Sequence, residues 1–490
     1  MEQFLARIFP NSNAFNKGFV AVLAVACLLA CMAGMLMDEF ILFALPASLL
    51  VIYISVVDFK KLFYLLFFMI PFTTEVELPG GLQLDLPGEP LTIGLMLIYG
   101  IYLLFNAKSI SKDFFTHPIT QVLFVHFMWI AVTTLISNDL LISVKFLLAK
   151  TWYVVTFYLL AAHVLKGEKE IRIFFWGIFL AILVTIVVIT LRHALVGFRF
   201  DKINKVVGPF YRNKVAYASI LSVFLPLVVF IRAGYKQWHW KRMLCSIGIV
   251  AFLIGIYLTY TRTAYLCVGI AFGAYFIVKY RLTKLVLGAG SALAMLALVV
   301  LLVGNTYLDF APEYKKTVAH KDFDSLISAT AKGQDVSTME RVYRWVAAFQ
   351  MIGEKPVLGF GPGTFYSFYK NYAVSSFSTY VSDNPEKSGV HCYYLMTAVE
   401  QGLIGLLIFV FLCFVVMLKG EELYHRKHLD IFTQRMVMAA TLGFICIAAI
   451  NIVNDMVETD KVGSFFFVYI ALIVNIDNKS KSKKLTRKED

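Results

Sequence analysis

Seven polar side chains in a strongly apolar chain have the chemistry to handle a polyanion and a sugar hydroxyl: Arg212, Asn213, Arg262, Arg341, Arg344, His391 and Glu400. Arginine's planar fork binds phosphate oxygens in pairs, and a guanidinium held near a helix end at low dielectric is well suited to a diphosphate. Imidazole changes charge near neutral pH and can accept or orient a hydroxyl proton, the usual reason for histidine in group transfer. Arg262 stands in LTYTRTAYL (258–266), where apolar spans give way to a short hydroxyl-bearing turn. A charge at such a position marks a functional site by default, the alternative being snorkelling to headgroups. Arg341 and Arg344 lie on ERVYRWVAAFQMI, whose apolar and basic positions alternate at helical period; a solvated helix face would also carry such arginines. His391 heads a long apolar run, where it is either a catalytic group or a helix-start residue, and Glu400 follows nine residues later. That glutamate is expected to be buried near the site or paired with a span arginine.

Other chemistries find little support. Asp322-Phe-Asp324 has the form of a metal-binding DxD pair, but it stands beside Lys321 in a long polar segment and reads as solvated. The acidic stretch 72–90 (Glu75, Glu77, Asp85, Glu89) shows no close carboxylate pair in sequence, so neither a metal-dependent transferase nor a two-carboxylate glycosidase is favoured. There is no phosphate-binding loop and no dinucleotide fingerprint, so the energy must come from the substrate; no cofactor, metal or nucleic acid is expected. Cys27, Cys31, Cys245, Cys267, Cys392, Cys413 and Cys446 lie in or beside apolar runs without CxxC pairs, which argues against a disulfide framework or zinc site.

The elements that must position these groups are membrane helices. Of 490 residues 59% are hydrophobic and 16% charged, against roughly 45–50% and 25% in soluble domains. Apolar runs long enough to cross a hydrocarbon core of about 30 Å recur throughout. They predict an all-α, polytopic transmembrane bundle of about fourteen helices, near 18–36, 40–57, 62–72, 91–105, 118–136, 145–164, 171–191, 215–231, 243–259, 263–278, 285–303, 391–418, 436–453 and 462–476, the third unusually short. The first run lacks a cleavage pattern and reads as a retained span. Lysine and arginine collect in alternate connections and in the tail from Lys479 to Lys488, whereas 38–39 and 72–90 have none. The positive-inside rule therefore places both termini in the cytoplasm.

Two outside segments depart from plain connections. Residues 192–214 carry Arg192, Arg199, Lys202, Lys205, Arg212 and Lys214 against Asp201 alone, which suggests an anionic ligand, with lipid headgroups as the alternative. Residues 304–390 are long enough for a helical periplasmic subdomain. Ser337-Thr-Met-Glu340 has capping-box spacing, and PVLGFGPGTF (356–365), with two prolines and three glycines, predicts a compact turn. The organisation is thus 1–191 N-terminal spans, 192–303 spans with a basic outside loop, 304–390 the outside subdomain, 391–476 C-terminal spans, and 477–490 a basic tail.

Three stretches resemble the O-antigen ligase superfamily of ligases, polysaccharide polymerases and protein O-oligosaccharyltransferases. ERVYRWVAAFQMIGEKPVLGFGPGTF (340–365) is similar to its arginine four before a tryptophan followed by Pro-x-x-Gly-x-Gly and an aromatic. VHCYYLMTAVEQGLIGLLIF (390–409) resembles its histidine-headed helix with Glu-x-Gly-x-x-Gly, and YTRTAYL (260–266) its Thr-Arg after a span. Cys392 departs from the Asn or Ser usual after the histidine. The resemblance, carried by about 205–420, implies a metal-independent, inverting glycosyltransferase in a bacterial inner membrane. Its donor would be an undecaprenyl-diphosphate-linked glycan, used on the periplasmic face. By the resemblance Arg262 and Arg341 hold the diphosphate and His391 orients or activates the acceptor hydroxyl; Arg212, Asn213 and Arg344 are expected around them from their common side, and Glu400 either near them or paired with a span arginine. The implied acceptor is lipid A-core or a similar glycan or lipid; a second lipid-linked glycan would make a polymerase, and a protein an oligosaccharyltransferase. A lipid-linked oligosaccharide flippase is the alternative of another class, disfavoured because the candidate residues gather on one face and no internal repeat is seen.

Overall fold

A segment in hydrocarbon must satisfy its own backbone hydrogen bonds, so apolar runs of this length become helices. The computed structural model describes residues 58–78, 82–106, 109–303, 336–374 and 389–489; the expected spans at 18–36 and 40–57, and Asp322 and Asp324, lie outside them. The described chain runs α1 (58–69), a β-hairpin of β1 (Thr74–Leu78) and β2 (Leu82–Leu86), α2 (Gly88–Phe105), α3 (Pro118–Leu135) and α4 (Leu140–Val164). It continues through α5 (Glu168–Leu195), α6 (Lys214–Ala233), α7 (Trp240–Leu258), α8 (Arg262–Lys279) and α9 (Thr283–Leu302). The helix α10 (Val336–Glu354) precedes α11 (Tyr393–Tyr424), α12 (Ile431–Ile450) and α13 (Asp460–Glu489). Ten of these helices are long and apolar enough to span a membrane. The fold is the expected all-α polytopic bundle, with one correction: the stretch 72–90 contains an antiparallel hairpin whose register sets Glu75 opposite Asp85. Cross-strand partners share a face, so these two carboxylates are closer than their separation in sequence indicated.

Burial sorts the helices. α6 and α12 are 78% and 72% enclosed, while α9 is only 6% buried, its side chains turned outward as befits a lipid-facing helix. In α13 Phe465, Tyr469, Ile470, Leu472 and Val474 are all buried, and the Tyr469 hydroxyl donates to the Val223 carbonyl of α6 at 3.0 Å. The core is therefore an α6–α12–α13 centre wrapped by the other spans. α4 includes a π-helical stretch, Val154–Leu160, a local widening that its sequence does not announce.

The connections fall into two groups by direct contact. At one end the 451–461 segment meets Thr73, His391 and Arg341, Arg212 meets Glu75, and Asn138 meets Phe360. At the other end the buried Asp477 gathers His117 (2.9 Å), Arg426 (2.6 Å), Lys481 (3.1 Å) and Lys419 (3.5 Å). Burial alone would raise this carboxyl, but these partners hold it well below the usual carboxylate range. Its contribution to stability is then complete at neutral pH and is lost as the pH falls below about 4, the unfolded value. Asp477→Asn, which leaves the cations facing an amide, is expected to cost about 3 kcal/mol at pH 7. It should lower the thermal unfolding midpoint, with the difference from wild type narrowing as the pH falls towards 3.

Candidate active site

His391 sits one residue ahead of the Cys392 cap of α11, with φ +58°. Left-handed backbone at a non-glycine residue costs about 1 kcal/mol or more and persists only where the surroundings enforce it. Its Nδ1 lies 3.9 Å from Asp455 Oδ1, an ion-pair distance too long for a hydrogen bond. Gly389 packs directly against the Asp455 carboxylate, where a side chain would not fit. Burial, then Arg344 and Arg341, push the imidazole down to about 3, so it is neutral at physiological pH. A neutral imidazole with a carboxylate near one nitrogen can accept a proton at the other.

The two arginines on α10 hold the segments that carry this pair. Arg344 donates to the Gly389 carbonyl, two residues before His391, at 3.2 Å. Arg341 Nε donates to the Val453 carbonyl, two residues before Asp455, at 3.1 Å. Arg344 is buried and also pairs with Glu340 at 3.3 Å. Glu340 thus spends its carboxylate one helical turn along, at Arg344, rather than solely in the expected capping box. The histidine, its acid and two guanidinium groups are thereby fixed against one another.

The glycine turn is locked into a break in α11. Gly402 has φ +71° and ψ 178°, which divides the helix there, and Leu403 N donates to the Pro356 carbonyl at 2.7 Å. Phe360 N and Gly361 N donate to the carbonyls of Val399 and Glu400, both at 2.9 Å. The buried Glu400 carboxylate accepts from Gly363 N (2.8 Å) and Phe365 N (3.2 Å). It is therefore bound to backbone of the turn, where the sequence had suggested a place near the site or an arginine partner. Gly359 has φ +69°, and a Cβ there would lie 2.6 Å from the Val399 carbonyl oxygen. α3 and α4 fasten the same knot: Trp129 donates to the Gln401 carbonyl (2.9 Å) and Ser143 to the Pro362 carbonyl (2.7 Å).

Arg262 is the first residue of α8, half-buried. α8 and α12 run antiparallel and meet where Cys267 and Cys446 contact each other's carbonyls at 3.8 and 3.9 Å. At about 1.5 Å per residue, Arg262 stands level with Asn451, where α12 gives way to the connection bearing Val453 and Asp455. It thus shares the end of the bundle with His391, Arg341 and Arg344. Arg212 and Asn213 are placed differently. Arg212 lies 4.0 Å from Glu75 of the hairpin, and Asn213 caps α6 by accepting from Ala216 N at 2.9 Å. Other charges of the basic loop also serve the loop itself: Arg192 donates to Gly208 O, and Arg199 and Lys202 pair with Asp201.

Residues 247–410 match the family described as O-Antigen ligase. That segment, about a third of the chain, is similar to an O-antigen ligase domain. That segment includes Arg262, Arg341, Arg344, His391, Glu400 and the glycine turn, and it leaves Arg212 and Asn213 outside. The family implies a multi-pass membrane glycosyltransferase-like enzyme whose substrates are lipid-linked glycans. No curated protein matches the chain.

Outside residues 247–410 the structure adds three groups that sequence reasoning missed: Asp455, Glu458 and Lys150. The first two lie in NDMVETD (454–460), an acidic connection that follows a span on the same side as His391. Lys150 interrupts the apolar run of α4, the ordinary signal of a functional or paired charge. Buried, it donates to Glu458 Oε1 at 2.7 Å and lies 5.8 Å from the centre of the Tyr393 ring. The pair ties the connection presenting Asp455 to α4, so Lys150→Met is expected to lower kcat about tenfold by loosening the acid against His391. Lys150→Arg should restore most of the loss; an unchanged kcat with a lower unfolding midpoint would reduce the lysine to a structural pair.

Proposed function

We propose that this protein is an O-antigen ligase-like glycosyltransferase, moving a glycan from undecaprenyl diphosphate to an acceptor hydroxyl, with lipid A-core or a similar molecule as acceptor. The observation that carries the reading is the placement of His391 beside Asp455, with Arg344 and Arg341 bonded to the backbone segments that bear them. In the reaction the acceptor oxygen forms its bond to the anomeric carbon on the face opposite the diphosphate, and the bond to the diphosphate oxygen breaks. The configuration inverts. The hydroxyl proton passes to His391, and the negative charge that develops on the diphosphate is met by Arg341 and Arg262, with Arg344 as the supporting cation. Preorganised cations aimed at a leaving group stabilise charge where it develops. Guanidinium groups supply that charge without a metal.

The basic connections at the end opposite the site support a cytoplasmic placement for that end and for both termini. The site then faces the periplasm of a bacterial inner membrane, where lipid-linked glycans are used. Purified protein incubated with a lipid-linked glycan, lipid A-core and EDTA is expected to release undecaprenyl diphosphate and glycosylate the core. Longer lipid-linked glycans made without core would replace this reading by a polymerase. Activity abolished by EDTA and restored by a divalent cation would overturn the metal-free mechanism.

The charges around His391 also set a pH dependence. With the imidazole at about 3, kcat/KM should show no limb near 6.5 arising from His391. Arg341→Gln removes one of the cations that lower it, so the imidazole should move back up towards its ordinary value. The pH dependence of diethylpyrocarbonate modification at His391 measures that upward shift directly.

A further inference from the structure

A cavity lies at the end of the bundle opposite the histidine, between α4, α13 and the segment before α3. Its volume is about 380 Å³, room for roughly a dozen waters at about 30 Å³ each. Lys166 and Lys479 line it, and no Asp or Glu does. Neither lysine makes an ion pair among the described residues. Ser109 and His163 also line it, and among the described residues the buried Ser109 Oγ and His163 Nδ1 have no hydrogen-bond partner. Burial and the neighbouring Lys60 hold the Lys166 ammonium below its ordinary value, the mark of cations gathered without a counter-charge. Phe114 and Leu159 complete the wall on the apolar side.

Uncompensated ammonium groups, two polar atoms lacking partners and an apolar flank together describe a receptor for a phosphate group attached to hydrocarbon. We infer that this cavity binds an anionic phosphate headgroup, distinct from the donor diphosphate, and so anchors the protein to acidic phospholipid at the end remote from the reaction. Phosphate oxygens would accept from Lys166, Lys479 and the Ser109 hydroxyl, and a neutral His163 with its hydrogen on Nδ1 would add a fourth donor.

The test uses the full-length protein in neutral detergent and reads the thermal unfolding midpoint with added phosphatidylglycerol, phosphatidylcholine or inorganic phosphate. Phosphatidylglycerol is expected to raise the midpoint of wild type by about 3 °C, as a ligand selective for the folded state does. Phosphatidylcholine should not. The rise should vanish in Lys166→Ala/Lys479→Ala and persist in Lys427→Ala, which removes an exposed lysine outside the cavity. A rise with inorganic phosphate alone, lost in the same double variant, would identify a free anion as the source of the phosphate chemistry. No rise in wild type, an equal rise in the double variant, or equal loss in Lys427→Ala would overturn the site. Because the two lysines stand apart from His391, glycan transfer by the double variant reports separately on the proposed reaction.

Discussion

Replacement of His391 by asparagine is expected to lower the single-turnover release of undecaprenyl diphosphate by about 10²- to 10⁴-fold, the usual worth of a positioned acid–base group. Asparagine is the informative substitution because the backbone at this position has φ +58°, a region that asparagine tolerates better than most residues. It can still hydrogen-bond, but it cannot take a proton at neutral pH. Donor affinity should change only a few-fold, since the diphosphate is assigned to the arginines. His391→Ala should behave alike in rate, with some added loss of stability from the left-handed backbone. Wild-type turnover in His391→Asn would remove the histidine from the mechanism and leave the arginines as a binding site alone.

The second large effect is structural. At Gly402 (φ +71°) a Cβ would overlap the Val357 carbonyl, which belongs to backbone that cannot swing aside. Gly402→Val therefore adds both strain and collision, a combination expected to cost more than about 4 kcal/mol. Because the turn 356–365 is bonded into the same break, the variant should either fail to accumulate or yield protein without transfer activity. Expression level, size-exclusion profile and activity in detergent distinguish these. A monodisperse Gly402→Val protein with wild-type transfer would show that the helix break is dispensable. Glu400→Gln is the milder companion: an amide oxygen can still accept one of the two backbone N–H groups, so folding should survive with a lowered midpoint.

Several of these features were legible in the chain. The arginines and His391 stood out because charges and imidazoles beside apolar runs are rare, and because their connections fall on one side by simple alternation. The turn at 356–365 was visible as prolines and glycines in close succession, but its partner was not: nothing near Gly402 in sequence indicates that the backbone of a segment about forty residues earlier replaces the helical bonds there. Glu400 illustrates the same gap. A glutamate in an apolar helix announces that it must be paired, yet whether with an arginine or with two backbone N–H groups depends on which chain segment arrives. Asn213 was read as a possible ligand because of its side of the membrane, and it caps α6.

Sequence by itself determined the membrane-helical class, the alternation of basic and non-basic connections, and the residue types able to meet a diphosphate and a hydroxyl. These follow from local quantities: apolar length against bilayer thickness, and the cost of placing charge near hydrocarbon. Only the tertiary structure decided that Asp455 faces His391, that Arg344 and Arg341 hold the carbonyls just ahead of each, and that Lys150 anchors Glu458 across the bundle. Such pairings join residues tens to hundreds of positions apart. Helix packing chooses them, because a buried polar group takes whichever partner the folded bundle brings within hydrogen-bond reach.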